Sequence, residues 1–202
     1  MNSVKFGDET VYPSKVVCIG RNYVEHIKEL GNEIPENMVI FNKPNSAISD
    51  KLAYFDDLTR FEGEICLLIM GGDIAGLGFG LDLTHAGIQN RLKGKGLPWE
   101  RAKAFDGSAV LSDFVPFDGD MEKVSFELYR EWNLVQSAGY DLMIYKPHEI
   151  LEEIKSFMTL EDGDIVMTGT PKGVDTYRRE DRFSARLVYD GDTILKTEWR
   201  AV

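Results

Sequence analysis

Two glutamates stand two positions apart where the chain enters an apolar run, in the sequence FEGEICLLIM that begins at Phe61. Side chains alternate between the two faces of a strand, so Glu62 and Glu64 would point to the same side. Carboxylates that close repel each other unless a cation or a basic side chain lies between them. The spacing therefore predicts either a metal site or a solvated, charged sheet edge.

A third carboxylate, Asp82, interrupts an alternating apolar stretch in the sequence GFGLDLT, directly before a predicted helix. Three oxygen ligands without a nearby pair of His or Cys residues suit Mg²⁺ or Mn²⁺, which prefer octahedral oxygen sites and keep positions for water or substrate. The alternative interpretation is that Asp82 caps the helix that follows it.

His26 lies one helical turn before Glu29 in the run YVEHIKEL, whose apolar residues recur at helical spacing. A carboxylate one turn away can orient an imidazole and stabilise its protonated form, as a general base requires when it takes a proton from water. An ordinary ion pair on the surface of an amphipathic helix would give the same pattern.

Two further segments carry groups suited to an anionic ligand. Lys103 lies among small and aromatic residues, where its ammonium could reach a substrate or a metal ligand, or could simply be solvated. Residues 163–173 predict a strand that ends in a Thr/Gly-rich turn around Thr170, which offers hydroxyl and N–H groups to an anion or a carbonyl oxygen. This turn is not a Walker loop, because the GxxxxGK[ST] spacing is absent.

The elements that position these residues are mostly strands. Short apolar runs bounded by turn residues predict strands, and an Asp-Gly pair at 190–191 predicts a C-terminal hairpin. The predicted strands are residues 15–19, 38–41, 65–70, 126–129 and 165–167, and the predicted helices are residues 22–30, 85–93 and 147–158. The expected fold class is α+β and dominated by β structure.

Composition limits the remaining classes of protein. The 202 residues, 43% of them hydrophobic, fit one domain spanning residues 1–202, and a formal charge of −11 argues against nucleic-acid binding. No apolar run approaches the ~18 residues of a membrane span and no signal-peptide pattern is present, so we expect a cytoplasmic protein that does not bind membranes. Cys18 and Cys66 lie in short apolar runs and are expected to be buried and unpaired.

Six segments, in their order along the chain, resemble motifs of the fumarylacetoacetate hydrolase family, especially its short acylpyruvate hydrolase and oxaloacetate decarboxylase-like members. They are GRNYVEHIKEL, FNKPNSAI, EGEICLLI, LDLTHAGIQ, KGLPWERAKAFD and GDIVMTGTPKGV. The resemblance implies the family's mixed β-sandwich roll with a few short helices, and a homodimer.

The resemblance also implies a role for each candidate residue. It implies Mg²⁺, with Mn²⁺ or Ca²⁺ as alternatives, held by Glu62, Glu64 and Asp82. It implies a catalytic group made of His26, Glu29 and Lys103. It implies substrate contacts from Arg21, Lys43, Gln89 and Thr170.

The reaction that the resemblance implies first is metal-dependent hydrolysis of a C–C bond in an acylpyruvate-like 2-oxo acid, through a stabilised enolate. The alternative is a decarboxylase, tautomerase or isomerase acting on oxaloacetate or a dienedioate. A second alternative is a metal-binding relative without catalysis, because a fold can outlive its activity.

The chain also departs from the family pattern. Ala86 and Gly87 stand where relatives commonly have an Arg and an Asp, and that arginine tends to contact a substrate carboxylate. Arg91 and Arg101 are the candidate replacements, and the substrate preference is expected to differ accordingly.

Overall fold

A computed structural model of the chain describes residues 1–25 and 37–202. His26 and Glu29 lie outside the described residues, as does most of the helix predicted for residues 22–30. No helix within the described ranges is long and apolar enough to cross a membrane.

Strands dominate the described chain. In chain order they are β1 (Val4–Phe6), β2 (Glu9–Val11), β3 (Lys15–Gly20), β4 (Val39–Pro44), β5 (Ile48–Ser49), β6 (Thr59–Phe61), β7 (Gly63–Met70), β8 (Asp73–Asp82), β9 (Thr84–His85), β10 (Ala109–Leu111), β11 (Val115–Pro116), β12 (Val124–Arg130), β13 (Asn133–Gly139), β14 (Ile165–Met167), β15 (Asp175–Thr176), β16 (Arg182–Tyr189) and β17 (Asp192–Arg200). The predicted strands are therefore all present; β14 has the predicted ends, and the other four predicted runs differ from β3, β4, β7 and β12 at one or both ends.

Two sheets form the body of the fold. The larger has eight strands in the order β4-β3-β14-β7-β8-β10-β5, with β11 paired to β8. Most of its neighbours are antiparallel, whereas β14 runs parallel to β3 and β10 runs parallel to β5. The second sheet has the order β13-β12-β16-β17, and smaller sheets are formed by β15-β6-β9 and by β1-β2.

Two-residue turns with positive φ close three hairpins. The β7–β8 turn uses Gly71 and Gly72, and the β16–β17 turn uses the predicted pair Asp190 and Gly191. Glycine is suited to such turns because it has no Cβ to clash at positive φ. The β12–β13 turn instead places Glu131 and Trp132 at φ values of 46° and 70°, and Trp132 is 77% exposed.

The main core lies where the two sheets face each other. Phe79 of the larger sheet packs against Phe126 of the second sheet with ring centroids 5.1 Å apart. Residues of opposite parity on β3 and β7 fill a second apolar cluster on the other face of the larger sheet. Cys18 and Cys66 belong to this second cluster, and both are buried and free.

Three α-helices and some short 3₁₀ turns complete the described fold: α1 (Ala86–Lys93), α2 (Glu100–Lys103) and α3 (Pro147–Phe157). Helix α3 begins with Pro147, whose missing N–H needs no partner in a first turn, and it buries Ile150 and Ile154. Phe157, at its end, is exposed. The fold confirms the expected β-dominated class, and α2 is a helix that the sequence did not predict.

Candidate metal and substrate site

The ends of two neighbouring strands bring the three acidic residues together. Strands β7 and β8 pair with Glu64 opposite Gly80, and the backbone N–H of Asp82 donates to the carbonyl of Glu62 at 2.8 Å. Glu62 directly precedes β7, so the sheet register places it beside the end of β8. One carboxylate oxygen from each of Glu62, Glu64 and Asp82 lies within 4.8 Å of the others.

Burial distinguishes these carboxylates from a solvated sheet edge. Glu64 and Asp82 are each 1% exposed, and the Glu62 side chain is 15% exposed. Burial, followed by the charges of Asp82 and Glu62, raises the pKa of Glu64 well above its usual value. Asp82 is not the cap of α1, because that helix begins after His85 and has no side-chain cap.

Two lysines contact the acidic cluster. The Lys103 ammonium donates to Glu62 Oε2 at 2.8 Å and to Asp82 Oδ2 at 2.6 Å. Lys43, which is fully buried, places its ammonium 2.7 Å from Asp82 Oδ1 and also donates to the backbone carbonyl of Lys103. Burial lowers the pKa of Lys103, but Asp82 and Glu62 more than compensate and raise it above its usual value. Lys103 is therefore a buried, charged partner of the cluster and not a solvated lysine.

The donor set fits a hard divalent cation. Three carboxylates face two ammonium groups, and Asp82 Oδ1 has no hydrogen bond of suitable geometry even though Lys43 lies near it. Oxygen ligands alone, without His or Cys among the clustered residues, are the set that Mg²⁺, Mn²⁺ and Ca²⁺ prefer. The cluster can therefore hold such an ion.

The turn after β14 closes one side of the cluster. Gly169 adopts a φ of 98°, and its N–H donates to Glu64 Oε2 at 2.6 Å. A Cβ at Gly169 would lie 2.8 Å from the Cβ of Asn22, so only glycine fits this approach. The Thr170 hydroxyl donates to the carbonyl of Gly63 at 3.0 Å, which ties the predicted substrate-binding turn to the strand that carries Glu64.

The other predicted residues are placed less completely. Arg21 is half-buried and has a positive φ of 60°, five positions before the start of the undescribed segment that contains His26 and Glu29. Gln89 lies half-buried on α1. The roles assigned to these four residues stay predictions, as do the catalytic, substrate-binding and metal-binding roles assigned to the other site residues.

Two polar residues in this region were not found from the sequence. Thr84 donates its hydroxyl to Glu62 Oε1 at 3.0 Å. Gln136, on β13 of the second sheet, accepts from the N–H of Gly63 at 2.9 Å and donates to the Thr170 hydroxyl at 2.8 Å. Gln136 thus links the two sheets directly behind the acidic strand, although nothing in its local sequence distinguishes it from other strand residues.

Comparison with known proteins identifies the family. The family model described as fumarylacetoacetate (FAA) hydrolase C-terminal matches residues 15–198. The chain is 37% identical to the oxaloacetate tautomerase YcgM of Escherichia coli (strain K12), over 91% of this chain and 92% of that protein. It is 32% identical to the mitochondrial oxaloacetate tautomerase FAHD1 of Bos taurus, over 85% of this chain and 86% of that protein.

A solved structure gives the same result at the level of the fold. The crystal structure of fumarylpyruvate hydrolase from Pseudomonas aeruginosa, in complex with Mn²⁺ and pyruvate, matches with a TM-score of 0.89 and 28% identity. The match covers 100% of this chain and 95% of that one. The chain therefore belongs to the fumarylacetoacetate hydrolase family.

Proposed function

We propose that this protein is a divalent-metal-dependent enzyme that interconverts the enol and keto forms of a small 2-oxo dicarboxylic acid, with oxaloacetate as the first substrate to test. The observation that carries the proposal is the buried group of Glu62, Glu64 and Asp82, held together with two lysines. The relatives named oxaloacetate tautomerase favour this reaction over the hydrolysis that the sequence alone placed first.

The reaction moves one proton. In the enol-to-keto direction the O–H bond at C2 breaks and a C–H bond at C3 forms, and the reverse direction undoes both changes, so no water is consumed and the carbon skeleton stays intact. A divalent ion bound by the three carboxylates would polarise the 2-oxo group and lower the cost of removing a proton from C3. Lys43 and Lys103 hold positive charge beside the carboxylates, which reduces their repulsion of an anionic substrate.

The groups that transfer the proton are proposed from the sequence. We assign the proton transfer to His26, oriented by Glu29, because an imidazole can both accept and return a proton near neutral pH. The turn at Gly169 and Thr170 would limit water on its own side of the acidic cluster, since Thr170 is only 4% exposed.

The test is enol-to-keto conversion of oxaloacetate by metal-stripped protein, followed by absorbance before and after adding Mg²⁺, Mn²⁺ or Ca²⁺. We expect activity to return with the metal, and the ion that restores most activity at cellular concentrations to identify the resident one. Glu64→Gln should lower the affinity for the metal by about a hundredfold or more. Changing a residue that only supports a metal ligand already costs about tenfold to a hundredfold, and Glu64 is proposed to be a ligand itself. Full activity in the stripped protein would overturn the proposal.

Hydrolysis of an acylpyruvate is the second candidate, and the similarity to a fumarylpyruvate hydrolase in complex with Mn²⁺ and pyruvate supports it. Hydrolysis consumes water and releases pyruvate, so pyruvate production from acetylpyruvate distinguishes it from tautomerisation. His26→Ala should then reduce hydrolysis greatly while metal affinity is kept. With metal bound and neither substrate converted, the protein would instead be a metal-binding relative without catalysis.

Four features remain proposals beside the reaction. They are Mg²⁺ as the resident ion, a homodimer, one catalytic domain over residues 1–202, and a cytoplasmic location. The similar proteins include both a bacterial and a mitochondrial protein, so cell fractionation is the direct measurement of location. Sedimentation of the purified protein measures the oligomeric state.

A further inference from the structure

Lys93 is the last residue of α1, and it is half-buried near the acidic site. It is close enough to Arg21, Lys103, Glu62 and Arg60 for the charge of each to act on its ammonium group. Glu62 is the most exposed of the three clustered carboxylates. Glu62 is also the carboxylate of the cluster whose charge acts most on Lys93.

An aromatic pair connects Lys93 to the interior of the site. The Lys93 ammonium lies 4.9 Å from the ring centroid of Trp99, and Trp99 packs against Phe41 with centroids 5.9 Å apart. On the inner side, the Lys103 ammonium lies 5.1 Å from the Phe41 ring centroid. The two rings thus form a short apolar wall with one ammonium at its inner end and one at its outer end.

The two ends of this wall differ in how their charges are compensated. Lys103 has carboxylate partners at 2.6 and 2.8 Å. Lys93 forms no ion pair with any residue in the ranges 1–25 and 37–202. A half-buried ammonium that has no anionic partner among the described residues and is held over an aromatic ring can pair with a carboxylate that comes from outside the protein.

The surrounding charges also favour an incoming anion. Burial, then the charges of Arg21 and Lys103, lower the pKa of Lys93 to about 8, and Arg60 adds to this while Glu62 opposes it. A carboxylate bound here would relieve the repulsion among these basic groups. In a protein with a formal charge of −11, such a group of basic side chains provides local attraction for an acidic substrate.

We propose that Lys93 binds the distal carboxylate of the substrate, the one at the far end from the 2-oxo acid group, and so makes the site selective for dicarboxylic over monocarboxylic 2-oxo acids. This inference rests on the proposed function, because the 2-oxo acid end must lie at the acidic cluster. Lys93 is then a specificity-determining residue. The residues at the start of α1, Ala86 and Gly87, carry no charge that could do this.

The test compares a matched pair of ligands, 2-oxoglutarate and 2-oxopentanoate, which share a carbon skeleton and differ by one terminal carboxylate. Binding of each to the Mn²⁺-loaded protein is measured by calorimetry in wild type, Lys93→Met and Lys93→Arg. Met keeps the apolar stem over Trp99 and removes the charge. Lys95→Met, an exposed lysine two residues later, is the control for net charge.

We expect Lys93→Met to weaken binding of 2-oxoglutarate by about tenfold to a hundredfold, the loss typical of a hydrogen bond to a charged group. Binding of 2-oxopentanoate should stay within about twofold in the same variant. Lys93→Arg should keep the preference for the dicarboxylate, at least in part, and Lys95→Met should keep it fully. An equal loss for both ligands, or no loss for either, would overturn the assignment of Lys93.

A second measurement separates this inference from the proposed reaction. If wild type converts oxaloacetate, Lys93→Met should raise KM by a similar factor and leave kcat nearly unchanged. If wild type does not convert oxaloacetate but the ligand preference disappears in Lys93→Met, the proposed reaction fails and the role of Lys93 stands. If wild type converts oxaloacetate and Lys93→Met leaves KM unchanged, the proposed reaction stands and the role of Lys93 fails.

Discussion

At the scale of single residues, the site consists of three acidic side chains in contact with two lysines. The alternation around Glu62 and Glu64 could be recognised in the sequence, because a period of two places both on one side of a strand. Lys103 could be named but not placed, since its contacts depend on how α2 meets the ends of β7 and β8. The role of Gln136 could not be recognised in the sequence, because its partners Gly63 and Thr170 are 73 and 34 positions away along the chain.

Removing the Lys103 charge should make the metal-free protein depend on added metal for stability. In Lys103→Met, Glu62 and Asp82 lose the ammonium between them, and breaking such a buried pair costs about 3–5 kcal/mol. A divalent cation supplies the missing positive charge, so the rise in Tm on adding Mn²⁺ should be larger than in wild type. Thermal unfolding with and without Mn²⁺ measures this.

Lys95→Met provides the control, because it removes the same charge from an exposed position. Its response to Mn²⁺ should equal that of wild type. An equal Mn²⁺-dependent rise in Lys103→Met and Lys95→Met would show that the Lys103 contacts do not stabilise the acidic cluster.

At the scale of elements, seven of the seventeen described strands were predicted, and the ten-residue strand β8 was not. Its sequence DIAGLGFGLD places Gly76, Gly78 and Gly80 on one face, and glycine weakens the pattern by which a strand is recognised. The structure explains these glycines by close packing: a Cβ at Gly78 would lie 2.7 Å from Phe114, and one at Gly80 would lie 2.8 Å from Cys66 Sγ. These contacts come from distant segments, so the sequence around β8 could not indicate them.

The packing over β8 gives a direct test at Gly78. Gly78→Ala should lower the free energy of unfolding by about 1–3 kcal/mol, the usual cost of overpacking, because Phe114 is almost fully buried and has little room to move. Urea unfolding measures the change. The matched variant is Gly87→Ala on α1, where a Cβ would meet only Leu58 at 3.7 Å.

Gly87→Ala should be neutral or stabilising by at most about 1 kcal/mol, since alanine favours a helix over glycine. The same loss of stability in both variants would mean that the contact with Phe114 is not what requires glycine at position 78.

At the scale of the whole molecule, the β-dominated sandwich followed from the count of strands and from the family resemblance, whereas the way its parts are joined did not. Asp164 is one of the joints. It accepts from the backbone N–H of Ser14 at 3.0 Å, from that of Lys15 at 3.1 Å and from that of Glu161 at 2.9 Å, and its side chain pairs with the Lys15 ammonium. It thus fastens the start of β3 to the loop before β14.

The contacts of Asp164 should make part of the free energy of unfolding depend on pH. Burial alone raises the pKa of Asp164, but hydrogen bonds from Lys15, Ser14 and Glu161 bring it below the usual value of 3.8. A carboxyl with a lowered pKa stabilises the folded state above its unfolded pKa and loses that contribution as the pH falls through its folded pKa. We therefore expect the difference in Tm between wild type and Asp164→Asn to be constant from pH 7 to about 5 and to shrink below about 4.

Thermal unfolding of both proteins across this range is the measurement, and the difference between them cancels the titration of the other carboxylates. A difference in Tm that stays constant down to pH 3 would show that the charge of the Asp164 carboxylate does not contribute to stability.

The placement of the three tryptophans has an optical consequence. Trp132 is exposed at the tip of its hairpin and Trp199 is nearly buried in the main core, whereas Trp99 forms part of the wall beside Lys93. A soluble quencher such as iodide should therefore quench Trp132 most strongly, the half-buried Trp99 less and Trp199 least. Trp132→Phe removes the most exposed of the three tryptophans, so that the remaining spectrum combines the emission of the nearly buried Trp199 with that of the half-buried Trp99 beside Lys93. If the substrate carboxylate binds at Lys93 as proposed, the emission of Trp99 then reports ligand occupancy without any added label.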